Sequence, residues 1–265
     1  MNRQSERPPL SRSEFASQLR TEGERRYHHQ HPFHHLMHEG RLSRHQLQQW
    51  VLNRYYYQTR IPIKDALILS KSEDPAFRRT WIRRIHDHDG MDDDDGGLAL
   101  WRRLARGVGL DEKDVRSFRS VLPGVRAACD SYVSFVKEAS LVEAVSSSLT
   151  ELFAPDLMSA RLSAWERHYP WVDRVALEYF RARISRAAHD SDEALSFVLA
   201  HAVDHDSQTR CVAALIRKTE ILWRLLDSLY TTYVAGTCED TDSHDRQQPP
   251  GIDQESATAV RSDLR

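Results

Sequence analysis

Lys218 lies seven residues after Cys211, three after Leu215 and four before Leu222, which aims its ammonium inward from the apolar stripe of the last helical segment. A charge left unpaired in such a place costs several kcal/mol, so an internal carboxylate or an anionic ligand in a cavity has to answer it. The same pattern recurs at i, i+4 spacing, which stacks two side chains on one helical face. Arg54 and Gln58 extend the stripe of Leu47, Trp50 and Val51; Arg84 and His88 extend Phe77 and Trp81; Tyr179 and Arg183 extend Val172 and Val175. Tyr132 falls between Cys129 and the pair Phe135 and Val136, and Glu151 follows Leu149 at a helix break. Taken singly, an inward Arg is ordinarily paired with an acid, and a Tyr ordinarily packs with its hydroxyl at the rim. Taken together, Arg54, Arg84, Arg183 and Lys218 bring more positive charge into one interior than Glu151, the obvious inward acid, absorbs. A small molecule carrying several negative charges resolves the conflict, and bundle interiors are where such sites are built.

Histidine supplies a second cluster, His28, His29, His31, His34, His35 and His38. The pairs His31/His35 and His34/His38 have the helical spacing of metal ligands, yet Pro32 interrupts the run and no carboxylate completes a recognised set, so no metal is expected. His201, Asp204 and His205 read as an exposed polar helix end. Asp92 to Asp95, followed by Gly96 and Gly97, lacks the spaced ligands and closing Glu of a calcium loop and reads as a solvated turn.

The elements that must position these groups are all helical, because apolar residues recur at three and four rather than at two. Helices are expected over 13–20, 34–39, 43–59, 62–70, 74–88, 97–107, 124–137, 141–149, 155–169, 172–187, 191–201 and 207–233. Ser43, Asp74 and Ser191 stand as caps, and Pro62, Pro75, Pro155 and Pro170 suit first turns. No alternating strand or hairpin signal is present. The expectation is a single all-α domain over 13–235, a compact bundle of about seven long helices, between a mobile arm (1–12) and a polar mobile tail (236–265) rich in Asp, Ser, Thr and Gln. The 265 residues, 40% of them hydrophobic, suffice for a real core. Lys plus Arg number 37 against 39 Asp plus Glu, so the net charge of −2 speaks against a general nucleic-acid binder. Five of those 37 are lysines, an arginine bias that a G- and C-rich genome also produces. Three widely spaced cysteines suggest no disulfide framework. With no leader and no long apolar segment, a cytoplasmic protein free of the membrane is expected.

Several of these motifs occur together in a familiar order. Tyr27-His28 through His31-Pro32-Phe33-His34, Asn53-Arg54-Tyr55-Tyr56-Tyr57-Gln58, Ile61-Pro62-Ile63-Lys64-Asp65, Arg84-Ile85 and Asp87-His88-Asp89-Gly90 are similar to segments of pyrroloquinoline quinone synthases. So are Val121 to Arg126, Ser147 to Pro155, Tyr179 to Arg183, and Lys218 with Leu222-Trp223. The resemblance covers roughly 27–233. It implies a haem-oxygenase-like and thiaminase-like bundle, a homodimer, and ring closure with O2-dependent oxidation of a tricarboxylic bicyclic precursor, releasing hydrogen peroxide without metal or organic cofactor. By position it implies that Tyr27, His28, Arg54, Gln58, Lys64, Arg84, Arg161 and Lys218 hold the substrate's carboxylates and carbonyl oxygens. Tyr132, Thr150, Glu151 and Leu222 add further pocket contacts. His88, Tyr179 and Arg183 fall to the catalytic group over the ring face, where protons leave carbon and oxygen binds. One departure stands out: three residues after Pro155 the family carries a histidine, and here Met158 offers a thioether that cannot exchange protons. An iron-dependent oxidase on the same fold and a non-catalytic carrier of quinone or precursor remain as alternatives, and the partners implied include a transient one from the same biosynthetic route.

Overall fold

The computed structural model describes residues 7–93 and 95–237, with only the backbone of 185–189 and 237. Eleven α-helices are found among the described residues: α1 (Arg12–Arg26), α2 (Pro32–His38), α3 (Arg44–Ser70), α4 (Pro75–Asp89), α5 (Gly96–Gly107), α6 (Glu112–Ser117), α7 (Pro123–Glu138), α8 (Leu141–Ser147), α9 (Ala154–His168), α10 (Glu178–His201) and α11 (His205–Tyr233). Short 3-10 turns at His28–Gln30, Ser148–Phe153 and Arg174–Leu177 link some of them, and no strand occurs among the described residues. The all-α expectation is met. α3 packs against α4, α5 and α7, α11 against α1, α7 and α8, and α10 against α9 and the Ser148–Phe153 turn.

Local chemistry sets most boundaries. Ser43 and Gln46 form a capping box at the start of α3, the Asp74 carboxylate accepts from the first amides of α4, and Asp204 with Ser207 boxes the start of α11. Asp204 is thus a cap, and His201 and the neighbouring His205 stay at the helix ends. Asp95, at the close of the acidic run, caps α5 through the Gly96 amide. Gly90 ends α4 at φ 82°, where a Cβ would stand 2.5 Å from the Asp95 carbonyl oxygen.

Two expected breaks are absent. Pro62 sits inside α3 rather than at the head of a new helix. Proline removes one amide bond, the one to the Gln58 carbonyl, but Tyr57, Gln58, Ile61, Lys64, Asp65 and Ile68 on either side are all buried, and their burial holds the helix through. Ser191 likewise lies within α10 and is buried beside Asp190 and Ala194, so burial overrides its capping tendency. Both continuities matter for chemistry, because Arg54 with Lys64 and Arg183 with Asp190 then ride on single rigid rods. Val175, expected on the Tyr179 stripe, is instead 73% exposed on the 3-10 turn, and Leu177 and Phe180 take the inward places. The short α6 went unsignalled by periodicity.

Beneath the polar interior lies an aromatic bed, with Trp50 5.5 Å from Trp101 and 5.8 Å from Trp165 between ring centroids. Leu10, in the arm, exchanges hydrogen bonds with the Gln208 side chain at 2.8 and 3.0 Å. Residues 1–6 of the arm and 238–265 of the tail lie outside the described residues. No described helix is long and apolar enough to cross a membrane.

Fully buried Asn53 pins α3 to the head of α7, its Oδ1 accepting from the Leu122 amide at 2.8 Å while its Nδ2 donates to the Gln49 carbonyl at 2.9 Å. Asn53→Ala leaves that amide unpaired and is expected to lower stability by about 1–3 kcal/mol in urea denaturation. An unchanged midpoint would contradict the assigned bond.

Candidate active site

Six cationic side chains, Arg54, Lys64, Arg84, Arg161, Arg183 and Lys218, are buried in one region, from α3, α4, α9, α10 and α11. They divide by what holds them. Lys64 lies 2.7 Å from Asp65 Oδ1 and donates to Ser148 Oγ at 2.9 Å. Arg84 donates to Glu151 Oε2 and, at 2.9 Å, to the Asp190 carbonyl, with its Nε 3.7 Å from Asp65. Arg183 stands 3.8 Å from Asp190 Oδ2. The expectation that Glu151 is the obvious inward acid is therefore corrected: Asp65 and Asp190 are buried there too, and Arg84, counted among the uncompensated charges, is well paired. In the sequence Asp65 reads as one partner of an ordinary Lys-Asp pair, and Asp190 as the residue before a helix start, which hid both.

The other three have neutral anchors. Arg54 lies over the Tyr57 ring at 4.1 Å. Lys218 donates to the Tyr57 hydroxyl at 2.9 Å and sits 3.4 Å from the Tyr132 ring centroid. Arg161 donates to His34 Nε2 at 3.1 Å, lies 4.9 Å over Trp50, and has the Met158 sulfur 3.8 Å from Nη1. Its Nε is buried without a partner. No acid forms an ion pair with Arg54, Arg161 or Lys218 among the described residues. Burial, followed by the repulsion of Lys64 and Arg54, depresses Lys218 well below the ordinary lysine range, and burial together with Arg54 brings Arg161 down to about 9. Lys64 goes the other way: burial opposes its charge, but the Asp65 carboxylate raises it.

His88 donates from Nδ1 to the Arg84 carbonyl at 3.1 Å, since a carbonyl can only accept, and its Nε2 keeps the lone pair. Burial and the nearby Arg183 bring His88 down to about 3, so the ring is neutral in the free protein and its Nε2 lone pair is unprotonated. Tyr179 donates to Gln58 Oε1 at 3.0 Å, and burial raises its phenol, which stays protonated. Glu151 falls to about 2 because Arg84, Lys64 and Arg183 outweigh its burial.

The remaining expected residues are also inside. Tyr27 and His28 close one end with ring centroids 4.4 Å apart, and Tyr132 shares a hydrogen bond of 3.2 Å with Ser147. Thr150 is buried next to Glu151, and Leu222 is buried one turn after Lys218 on the same face. Tyr27 further lines a cavity of about 310 Å³ shared with Glu24, His29, His35, His38, Phe153 and Asp156. The histidine cluster divides by role: His31 caps α2 and meets Asp227 at 3.1 Å, while His34 faces Arg161. No set of three His, Cys, Asp or Glu side chains that could hold a metal ion converges among the described residues.

The family model described as TENA/THI-4/PQQC matches residues 17–228. The chain belongs to that family. Among members, the pyrroloquinoline-quinone synthase of Pseudomonas entomophila (strain L48) is 48% identical over 225 residues, covering 85% of this chain and 89% of its own. That of Pseudomonas putida (strain W619) is 48% identical over 229 residues, covering 86% and 91%. Among solved structures, a TenA homolog from Pseudomonas syringae pv. tomato aligns with a TM-score of 0.71 at 14% identity, covering 86% of this chain and 98% of that one. A domain with a heme oxygenase-like fold from Shewanella denitrificans gives 0.68 at 15%, covering 90% and 99%. These two likenesses show the fold, a haem-oxygenase-like bundle. For this family member the geometry gives a place in the site to four residues to which the resemblance assigned no role: His34, Tyr57 and Asp65, which lie inside the quoted motifs, and Asp190, which lies outside them. Tyr57 is one of three consecutive tyrosines, and its i+3 spacing from Arg54 is the one local signal that sets it beneath the guanidinium.

Buried neutral histidines make stability depend on pH. His28, His34 and His88 are all held below 6.5, chiefly by burial, whereas in the unfolded chain they titrate near 6.5. As pH falls below about 6.5 the unfolded chain takes up protons that the folded one does not, so their contribution is complete above 6.5 and is lost toward pH 4, at up to about 1.4 kcal/mol per pH unit for each. Urea midpoints measured at pH 7.5 and 5 should therefore drop; equal midpoints would contradict the neutral assignments.

Proposed function

We propose that this chain closes the ring of, and oxidises with O2, the tricarboxylic bicyclic precursor of pyrroloquinoline quinone, releasing hydrogen peroxide and using neither metal nor organic cofactor. The observation that carries the reading is the charge imbalance of the interior, six buried cations facing Asp65, Glu151 and Asp190. A guest with three carboxylates supplies the missing negative charge, and the 48% identical pyrroloquinoline-quinone synthases support that guest.

The chemistry follows from the groups at hand. Arg54, Arg161 and Lys218, which pair with no acid among the described residues, receive carboxylates; Lys64, Arg84 and Gln58 complete the hold on oxygen atoms. His88 Nε2 accepts a proton from ring carbon, which raises the ring's electron density until dioxygen can take electrons from it. Arg183 offers fixed positive charge to the reduced oxygen, and the Tyr179 phenol, which donates to Gln58 in the free protein, can turn its hydrogen bond to it. Return of that proton by His88, together with a second proton released from the substrate as it gives up its electron pair, converts the two-electron-reduced oxygen to hydrogen peroxide. Enclosure keeps water from the intermediates. The working form is a cytoplasmic homodimer that receives its precursor from another protein of the same route and engages neither nucleic acid nor membrane.

Aerobic incubation of chelator-treated protein with the precursor should consume oxygen and build up a quinone absorbance. His88→Asn is expected to bind the precursor anaerobically like the unaltered protein while turning over about a hundredfold more slowly. Activity lost on chelation and restored by iron would replace this reading with a metal-dependent oxidase, and tight binding with less than one turnover per site would replace it with a carrier.

A further inference from the structure

Of the buried ionisable groups that the reaction above leaves unused, His34 is the one with both ring nitrogens engaged inside the site. Its Nδ1 lies 2.9 Å from the His28 carbonyl oxygen, which can only accept, so Nδ1 carries the hydrogen. That fixes Nε2 as the acceptor facing Arg161 Nη2 at 3.1 Å. The ring is held from behind by His38, stacked at 5.9 Å with an interplanar angle of 14°, and at its edge by His28 at 4.9 Å. α2 therefore presents a locked, uncharged acceptor to a guanidinium on α9.

We propose that His34 is a positioning residue for the substrate-binding guanidinium of Arg161, orienting it without neutralising it. This rests on the functional reading above. An Asp or Glu in the same place would orient Arg161 equally well, but it would also cancel the charge and compete with an incoming carboxylate, as Glu151 does at Arg84. An imidazole with its lone pair turned inward gives direction alone. The rest of the guanidinium's surroundings obey the same rule: the Trp50 face at 4.9 Å, the Phe180 face at 5.7 Å and the Met158 thioether at 3.8 Å all contact it, and none carries charge. Met158 cannot set the donor directions of Arg161 as a ring nitrogen can, because a thioether is a weak acceptor. The orienting role therefore falls to His34 alone, and His34 is the place where the hold on the substrate can be broken without touching the substrate.

The test measures anaerobic binding of the bicyclic precursor, and aerobic turnover, in four variants. His34→Leu should weaken binding about ten- to a hundredfold, seen as a raised KM with kcat changed far less. His34→Gln, whose amide oxygen restores an acceptor, should recover most of the loss. In the Arg161→Met background, adding His34→Leu should cost nothing further. Equal binding by His34→Leu and the unaltered protein, no rescue by Gln, or losses that multiply in the double variant would each overturn the inference while leaving the function standing. Failure of the unaltered protein to bind the precursor would overturn the functional reading, and this inference with it.

Discussion

An excess of positive charge sealed away from water is the constraint on which the rest of this molecule turns. Buried charges are tolerated when paired and hydrogen-bonded. Lys64 and Arg84 meet that condition through Asp65, Ser148, Glu151 and the Asp190 carbonyl, and Arg183 is ion-paired with Asp190 at 3.8 Å. Arg54, Arg161 and Lys218 do not; they are held by aromatic faces, a phenol oxygen, an imidazole and a thioether. Such anchors fix position and leave the charge available. Lys218 shows what the arrangement costs the free protein, since its ammonium is disfavoured by burial and by its cationic neighbours. A site so prepared stabilises negative charge without reorganising when the charge arrives or develops, which is what substrate binding and reduction of oxygen both need.

The fold serves this by keeping its rods long. α3 carries Arg54, Tyr57, Gln58, Lys64 and Asp65 on one continuous helix through Pro62, and α10 carries Tyr179, Arg183 and Asp190 through Ser191. A break at the first place would have let unpaired Arg54 and paired Lys64 move independently, and one at the second would have loosened Asp190 from Arg183. Below them the tryptophans give a rigid, uncharged floor, and Arg161 lies directly on it. His88 is set by its own helix, because its tautomer is chosen by the Arg84 carbonyl one turn earlier.

The helical class, most caps and the inward placement of Arg54, Arg84, His88, Tyr179, Arg183 and Lys218 could be read from periodicity, because a polar group on an apolar stripe is a local signal. Long-range pairing could not. Asp65 is adjacent to Lys64 in the chain, and nothing in that adjacency says that it also faces Arg84 on another helix. His34 stood out only as one of six histidines; its meaning depends on α9 coming alongside α2, a fact of tertiary packing. Pro62 and Ser191 misled for the opposite reason, since their local preferences were plain and were outweighed by burial of the residues around them. The tricarboxylic guest itself came from motif resemblance, with the charge pattern asking only for some polyanion.

Whether a guest's negative charges complete this interior is read from anaerobic calorimetric titration of the protein with the tricarboxylic precursor and with its trimethyl ester. The two share ring atoms and differ in charge. The acid should bind tightly and the ester at least a hundredfold more weakly; equal affinities would show that the buried cations do not select the ligand.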